Sequence, residues 1–220
     1  MIAFIHLRTH LREDQRGGSR AQFGFAHAGN APSFDNRRPT FNGAPRQELP
    51  IIIREPDHPG GMFVLARWGL IPGWIKEANP KFQPINARCE EVANKGMFRS
   101  TYRMRRALLP IDGFFEWTAI FGAKAKQPYA IAMKSGEPFA LAALWETWRQ
   151  AGTGVELRTF CVITCPANEL VADIHDRMPV ILGSQDYARW ISEEPDPRYL
   201  IKPLPSDENN DADLLTPIAS

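Results

Sequence analysis

The sequence predicts an α+β domain, mostly antiparallel β and closed like a barrel, with a few short helices. Three observations carry the prediction. From Leu49 onward the apolar runs are short, rich in β-branched and aromatic residues, and bounded by Gly or Pro. Helical spacing is confined to three stretches. A doubly wound sheet would need a helix after nearly every strand, and the order here is many strands with few helices.

Along the chain, residues 1–38 are rich in Gly, Arg, Asn and Ser and lack sustained periodicity. They read as a divergent N-terminal segment with room for one short helix at its start, and residues 39–220 read as the domain proper. The expected strands are LPIII (Leu49–Ile53), MFVLARWGLI (Met62–Ile71), ALLPIDGFFEW (Ala107–Trp117), PYAIAM (Pro128–Met133), FALAALWETW (Phe139–Trp148), LRTFCVITC (Leu157–Cys165) and PVIL (Pro179–Leu182). The expected helices are Glu90–Arg106, which Gly96 can break, Ala167–Ile174, and Gln185–Glu193 with Ser184 as its N-cap.

At 220 residues the chain suits one fairly large domain. It is 44% hydrophobic and 23% charged, and no apolar run approaches the length needed to cross a bilayer, so a soluble protein with no membrane partner is expected. His6 and Arg8 break the apolar start MIAFIHLRTH, which argues against a signal peptide and for the cytoplasm, with association with the nucleoid when bound to DNA. A monomer is the expected state. Cys89, Cys161 and Cys165 cannot all pair, and neither they nor the His6/His10 pair has the spacing of a metal site. No metal or cofactor is expected. The net charge of +1 is silent about nucleic acid, but its distribution is not. KGMFRSTYRMRR (Lys95–Arg106) holds five positive residues and no negative one, and a helix there would align Lys95, Arg99, Arg103 and Arg106 on one face. Such a stripe suits a polyanion, and a solvated helix face is the competing reading.

The chemistry concentrates in DIHDRMPV (Asp173–Val180), where His175 can move a proton near neutral pH and Arg177 can hold a phosphate. A structural, hydrogen-bonding His175 is the alternative. In GFFEW, strand alternation puts Glu116 on one face with Phe114 and sends Phe115 and Trp117 to the other. Desolvation there would raise its pKa towards general acid–base work, unless an arginine simply neutralises it. Asn42, in a loop before Ala44 and Pro45, can orient a substrate oxygen or form a turn. Asn86 and Arg88 point the same way if INARCEE is extended and can grip one phosphate, or Arg88 pairs with Glu90 or Glu91. In RWGLIPGW, Trp68 reads as core, and the Pro72–Gly73 turn exposes Trp74 for stacking on unpaired bases.

The ordered set FNGAP, RWGLIPGW, INARCEE, LLPIDGFFEW, QPYAIA, LAALWETW, LRTFCVIT and DIHDRMPVIL, over residues 39–203, resembles the SRAP family of SOS-response-associated peptidases, the abasic-site processing proteins. The resemblance implies a compact antiparallel β fold with a cationic cleft for single-stranded DNA that contains abasic sites. It also implies a covalent mechanism, in which an N-terminal cysteine closes a thiazolidine on the abasic aldehyde. Glu116 would then be the acid–base group that assists sugar ring opening, His175 its partner in proton transfer, and Asn42 the group that positions the reacting centre. Asn86, Arg88 and Arg177 would hold phosphates, and Trp68 and Trp74 would shape the cleft or stack on a base.

Two departures stand out. The family begins Met-Cys-Gly-Arg, whereas this sequence begins Met1-Ile2-Ala3-Phe4 and has no cysteine before Cys89. Near the C-terminus about one family strand is missing between Pro205 and Leu215. Three readings follow: a covalent abasic-site processor that has lost its cysteine-bearing start, a catalytically silenced single-stranded DNA-binding module, and a thiol peptidase pairing Cys161 or Cys165 with His175. The last ranks lowest, because an apolar strand disfavours the thiolate.

Overall fold

A computed structural model describes residues 4–7, 26–27, 40–77, 83–120, 122, 126–205 and 216–217. Its strands are β1 (Phe4–Leu7), β2 (Ala26–His27), β3 (Thr40–Gly43), β4 (Glu48–Glu55), β5 (His58–Trp68), β6 (Asn86–Arg88), β7 (Arg106–Ile111), β8 (Gly113–Ala119), β9 (Lys126–Ala132), β10 (Phe139–Arg149), β11 (Glu156–Pro166), β12 (Arg177–Pro179), β13 (Ile181–Leu182) and β14 (Thr216–Pro217). The helices are α1 (Arg99–Met104), α2 (Glu169–Ala172) and α3 (Tyr187–Trp190). The fold class expected from the sequence is the one observed.

Five strands close a ring in the order β5, β4, β7, β10, β11, and β11 returns to β5 through a parallel pairing of Thr159 and Phe160 with Arg67 and Trp68. The other ring pairings are antiparallel. Closure removes sheet edges. Alternation puts Ile51, Ile53, Leu109, Leu141 and Phe160 on one buried face of the ring, and Trp68 stacks on Phe160 with centroids 6.2 Å apart. The second sheet runs β14-β9-β8-β1-β3.

The single long run expected from Ala107 to Trp117 is divided at Asp112, where the chain leaves the barrel as β7 and enters the second sheet as β8. Gly113 makes this transfer possible. A Cβ there would lie 2.7 Å from the carbonyl oxygen of Ile131, so any side chain would push β8 and β9 apart.

The helical expectations needed most correction. Residues 4–7 form a strand between β8 and β3 rather than a short helix. Only Arg99–Met104 of the expected Glu90–Arg106 helix is helical, and Arg106 opens β7. The cationic stripe therefore loses a member. Arg106 is 3% exposed, and its guanidinium donates to the carbonyls of Trp190, Tyr102, Arg103, Ser192 and Glu194. Five carbonyls at the ends of α1 and α3 need a donor, and one guanidinium supplies them all. Lys95 pairs with Glu91 at 2.8 Å, while Arg99 and Arg103 stay exposed. Ser184 does not cap a helix: it starts a 3₁₀ turn, and α3 begins at Tyr187. Asn168 is the capping residue that the sequence reading passed over, its Oδ1 accepting the Val171 amide at 3.0 Å to start α2.

Candidate functional site

Glu116 lies in β8 with 2% exposure, on the face of Phe114, while Phe115 and Trp117 pack together on the opposite face. Burial pushes its carboxyl up to about 7, with the carboxylate of Asp176 adding to the rise and the Trp117 amide opposing it. Two residues further on the same face, Thr118 Oγ1 donates to the carbonyl of Ile174 at 3.0 Å. That bond fastens β8 to the segment bearing His175.

His175 is half-buried, and its Nδ1 accepts the backbone N–H of Arg177 at 3.0 Å. The lone pair on Nδ1 is thereby engaged, which assigns the proton of the neutral ring to Nε2. Burial holds His175 below the usual histidine range, against the pull of Asp176. Asp176 Oδ1 lies 2.9 Å from Nδ1 and makes an ion pair only when the ring is protonated. Asp176 thus acts on both Glu116 and His175, raising both, and the Lys126 charge at the start of β9 lowers both. The sequence reading of DIHDRMPV named His175 and Arg177 without singling out Asp176 between them. Lys126 gave no sequence signal, because only the pairing of β9 with β8 brings it there.

Asn86 and Arg88 in β6 face the same way, with Ala87 buried between them. β6 runs parallel to β11, with Asn86 opposite Val162 and Arg88 opposite Thr164, and β12 pairs with Thr164, Cys165 and Pro166. Arg177 is consequently not an open phosphate clamp. It takes Glu90 bidentately at 2.5 and 3.0 Å and donates to the Thr164 carbonyl at 2.7 Å. This charge-assisted pair lowers Glu90 to about 2 and raises Arg177 further. Arg177 engages Glu90 and Lys95 engages Glu91, so the Arg88 side chain is left exposed.

The remaining sequence candidates separate. Asn42 is exposed and lies in β3 rather than in a loop, with β1 between it and β8. Trp68 is 0% exposed and donates its indole N–H to Ile85 O at 2.8 Å, so it cannot stack on a base. Trp74 is 71% exposed, on a loop beside Thr159 and Trp148. Arg88 is five residues further along β11 from Thr159, about 17 Å at the usual rise per residue.

Burial of the thiols argues against the peptidase reading. Cys161 and Cys165 are fully buried; burial raises both, Cys165 to about 12, and Cys89 is raised to about 11. Among the described residues no group of three His, Cys, Asp or Glu side chains could hold a metal ion, and no helix is long and apolar enough to cross a membrane.

The profile of the family described as SOS response associated peptidase (SRAP) matches residues 8–215, extending beyond the motif-bearing stretch at both ends. The abasic site processing protein YoqW of Bacillus subtilis (strain 168) is 38% identical over 174 residues, covering 77% of this chain and 76% of that protein. The abasic site processing protein HMCES of Rattus norvegicus is 29% identical over 191 residues, covering 71% of this chain and 54% of the longer relative. Among solved structures, a Bacteroides thetaiotaomicron protein superposes with a TM-score of 0.78 at 23% identity, covering 93% of this chain and 87% of that one. A Bordetella bronchiseptica protein reaches 0.73 at 23% identity, covering 94% and 96%.

Proposed function

The chain belongs to the SRAP family, and on that premise we propose that it recognises abasic sites in single-stranded DNA, with Glu116 and His175 as its proton-transfer pair. The observation that carries the proposal is a carboxyl group poised near 7 in a strand hydrogen-bonded to the segment of a neutral histidine. A group with that pKa exchanges protons in both directions at physiological pH. In this reading protonated Glu116 gives its proton to the ring oxygen of the abasic sugar as the C1–O bond breaks, while the anomeric hydroxyl gives its proton to water, leaving the aldehyde and a Glu116 carboxylate. His175, neutral and with its N–H on Nε2, donates to that water and orients it, and Glu116 regains its proton from solvent. Asn42 positions the reacting centre, Asn86 and Arg88 hold a flanking phosphate, and Trp74 stacks on a neighbouring base. Arg177 joins the phosphate grip only by exchanging Glu90 for the phosphate.

In the family mechanism a thiol then closes the thiazolidine, and this sequence has no cysteine before Cys89. Ring opening and imine formation remain within reach of its groups, since an α-amino group of reference pKa about 7.7–8.0 is partly neutral at physiological pH. The lyase-type outcome follows: an imine that hydrolyses or proceeds to strand cleavage rather than a thiazolidine. A second reading, a silenced single-stranded DNA-binding module, keeps the same phosphate and stacking contacts without the covalent step. A monomer is sufficient for either.

The test is binding and imine trapping on a single-stranded oligonucleotide with one abasic site. Salt-sensitive binding and a borohydride-trapped adduct that Glu116→Gln diminishes support the first reading. Binding with no trapped adduct supports the second, and absence of binding at low salt overturns both.

A further inference from the structure

Trp74 owes its exposure to a grip on the backbone of its loop by side chains of the β10–β11 hairpin. Glu146 and Thr159 are cross-strand partners in that hairpin. Thr159 Oγ1 accepts the Ile71 amide at 3.0 Å, and Trp148 Nε1 donates to the Ile75 carbonyl at 2.6 Å. Between these two clamps the Glu146 carboxylate accepts the amide of Gly73, the residue before Trp74. Oε1 of Glu146 also takes the Thr147 amide at 3.0 Å, and Oε2 takes Arg105 Nη1 at 3.0 Å. The fit at Gly73 is close, since a Cβ there would stand 3.3 Å from the carboxyl carbon and 3.5 Å from each oxygen.

A buried carboxylate is costly to keep, and a barrel wall has no structural need of one where an apolar residue would pack. Here it is spent on holding a loop whose exposed residue is an indole. We propose that Glu146, braced by Arg105, is a positioning residue that fixes the Trp74 loop so that the indole is presented outward to stack on an unpaired base. The inference rests on the single-stranded DNA reading for its consequence, but the grip on the loop can be measured without DNA. A preorganised aromatic platform binds more tightly than a mobile one, because the loop's ordering cost is met before the base arrives.

The test combines amide hydrogen exchange of residues 70–76 in the free protein with binding of a mixed-sequence single-stranded oligonucleotide. Glu146→Gln removes the charge and one of the two acceptor oxygens that Arg105, Thr147 and Gly73 share, and should speed exchange at Gly73 about tenfold while leaving barrel amides unchanged. It should also weaken binding by nearly as much as Trp74→Ala, which loses about tenfold for one stacked base. The double variant Glu146→Gln/Trp74→Ala should bind no more weakly than Trp74→Ala alone, because the first acts through the second. Arg105→Lys should retain the grip and most of the affinity. Gly73→Ala, whose methyl would press on the Glu146 carboxyl group at 3.3 Å, should speed exchange at residue 73 in the same direction. Unchanged exchange in Glu146→Gln, or fully additive losses in the double variant, would overturn the proposal. If exchange speeds up but Trp74→Ala leaves binding intact, the positioning of the loop stands and the stacking role of Trp74 falls.

Discussion

Glu116 and Glu146 both lie in β-strands, both are buried, and burial pushes both carboxyls above the ordinary range. Their partners differ in kind. Glu146 has the Arg105 guanidinium at 3.0 Å and the amides of Thr147 and Gly73, whereas at Glu116 the Trp117 amide and the Lys126 charge oppose a rise to which the Asp176 carboxylate adds. The first carboxyl group is clamped by an ion pair at hydrogen-bond distance, and at the second burial outweighs the groups that favour the ion and leaves it near 7. Burial therefore does not by itself mark a catalytic carboxyl group. A guanidinium clamp makes the one a fixed brace, and a pKa near neutrality makes the other an exchangeable acid.

The largest effect that can break this comparison is on stability. Unfolded, Glu116 titrates near 4.5, and folded it titrates near 7. Its folded pKa is raised, so the native state binds more protons between those values and loses stability as pH rises through that window. Glu116→Gln should therefore match the parent below about pH 4.5 and exceed it by about 3 kcal/mol above pH 7.5, at about 1.4 kcal/mol per pKa unit. Glu146→Gln, which breaks the ion pair with Arg105 and weakens the grip on two amides, should instead fall below the parent at both ends of the range. Urea melts at pH 4.5 and pH 8 read both, and parallel behaviour of the two variants would erase the distinction.

Arginine surroundings sharpen the same point with a smaller effect. Arg177→Ala breaks the bidentate pair with Glu90 and should cost about 1–2 kcal/mol of stability. Arg88→Ala should leave the melting curve unchanged and weaken single-stranded DNA binding by about 1–2 kcal/mol on all sequences alike. Glu90→Gln, which releases Arg177, should strengthen binding rather than weaken it. The salt dependence of binding gives the count: each phosphate contact contributes a slope of about −0.7 in log K against log salt, so Arg88→Ala should flatten the plot by one such step and Glu90→Gln should steepen it.

The sequence already made much of this legible, and what it missed has a common cause. Strand alternation placed Glu116 with Phe114 correctly, and the Pro72–Gly73 turn correctly marked Trp74 rather than Trp68 as the exposed indole. The stripe over Lys95–Arg106 failed at Arg106 because helical periodicity cannot see that α1 ends at Met104 and that five carbonyls at the ends of α1 and α3 require a donor. Arg177 looked like a phosphate clamp because its partner Glu90 is 87 residues away, brought close by β6 and β12 both pairing with β11. Lys126, Glu146 and Arg105 were missed for the same reason. Local pattern reports which face a side chain takes, and only the closed barrel reports what it meets there.

The role of Glu116 in abasic-site chemistry is tested most directly by supplying an N-terminal thiol. With residues 1–4 replaced by Met-Cys-Gly-Arg, the protein should form a heat-stable crosslink to a single-stranded oligonucleotide containing one abasic site, while the chain beginning Met1-Ile2 forms none. Glu116→Gln in the thiol-bearing chain should slow the crosslink by about 10²-fold or more, the usual scale of a lost general acid, without weakening binding to the same oligonucleotide. Equal crosslinking rates with and without the Glu116 carboxyl group would contradict the account, and so would a heat-stable crosslink from the chain that carries no such thiol.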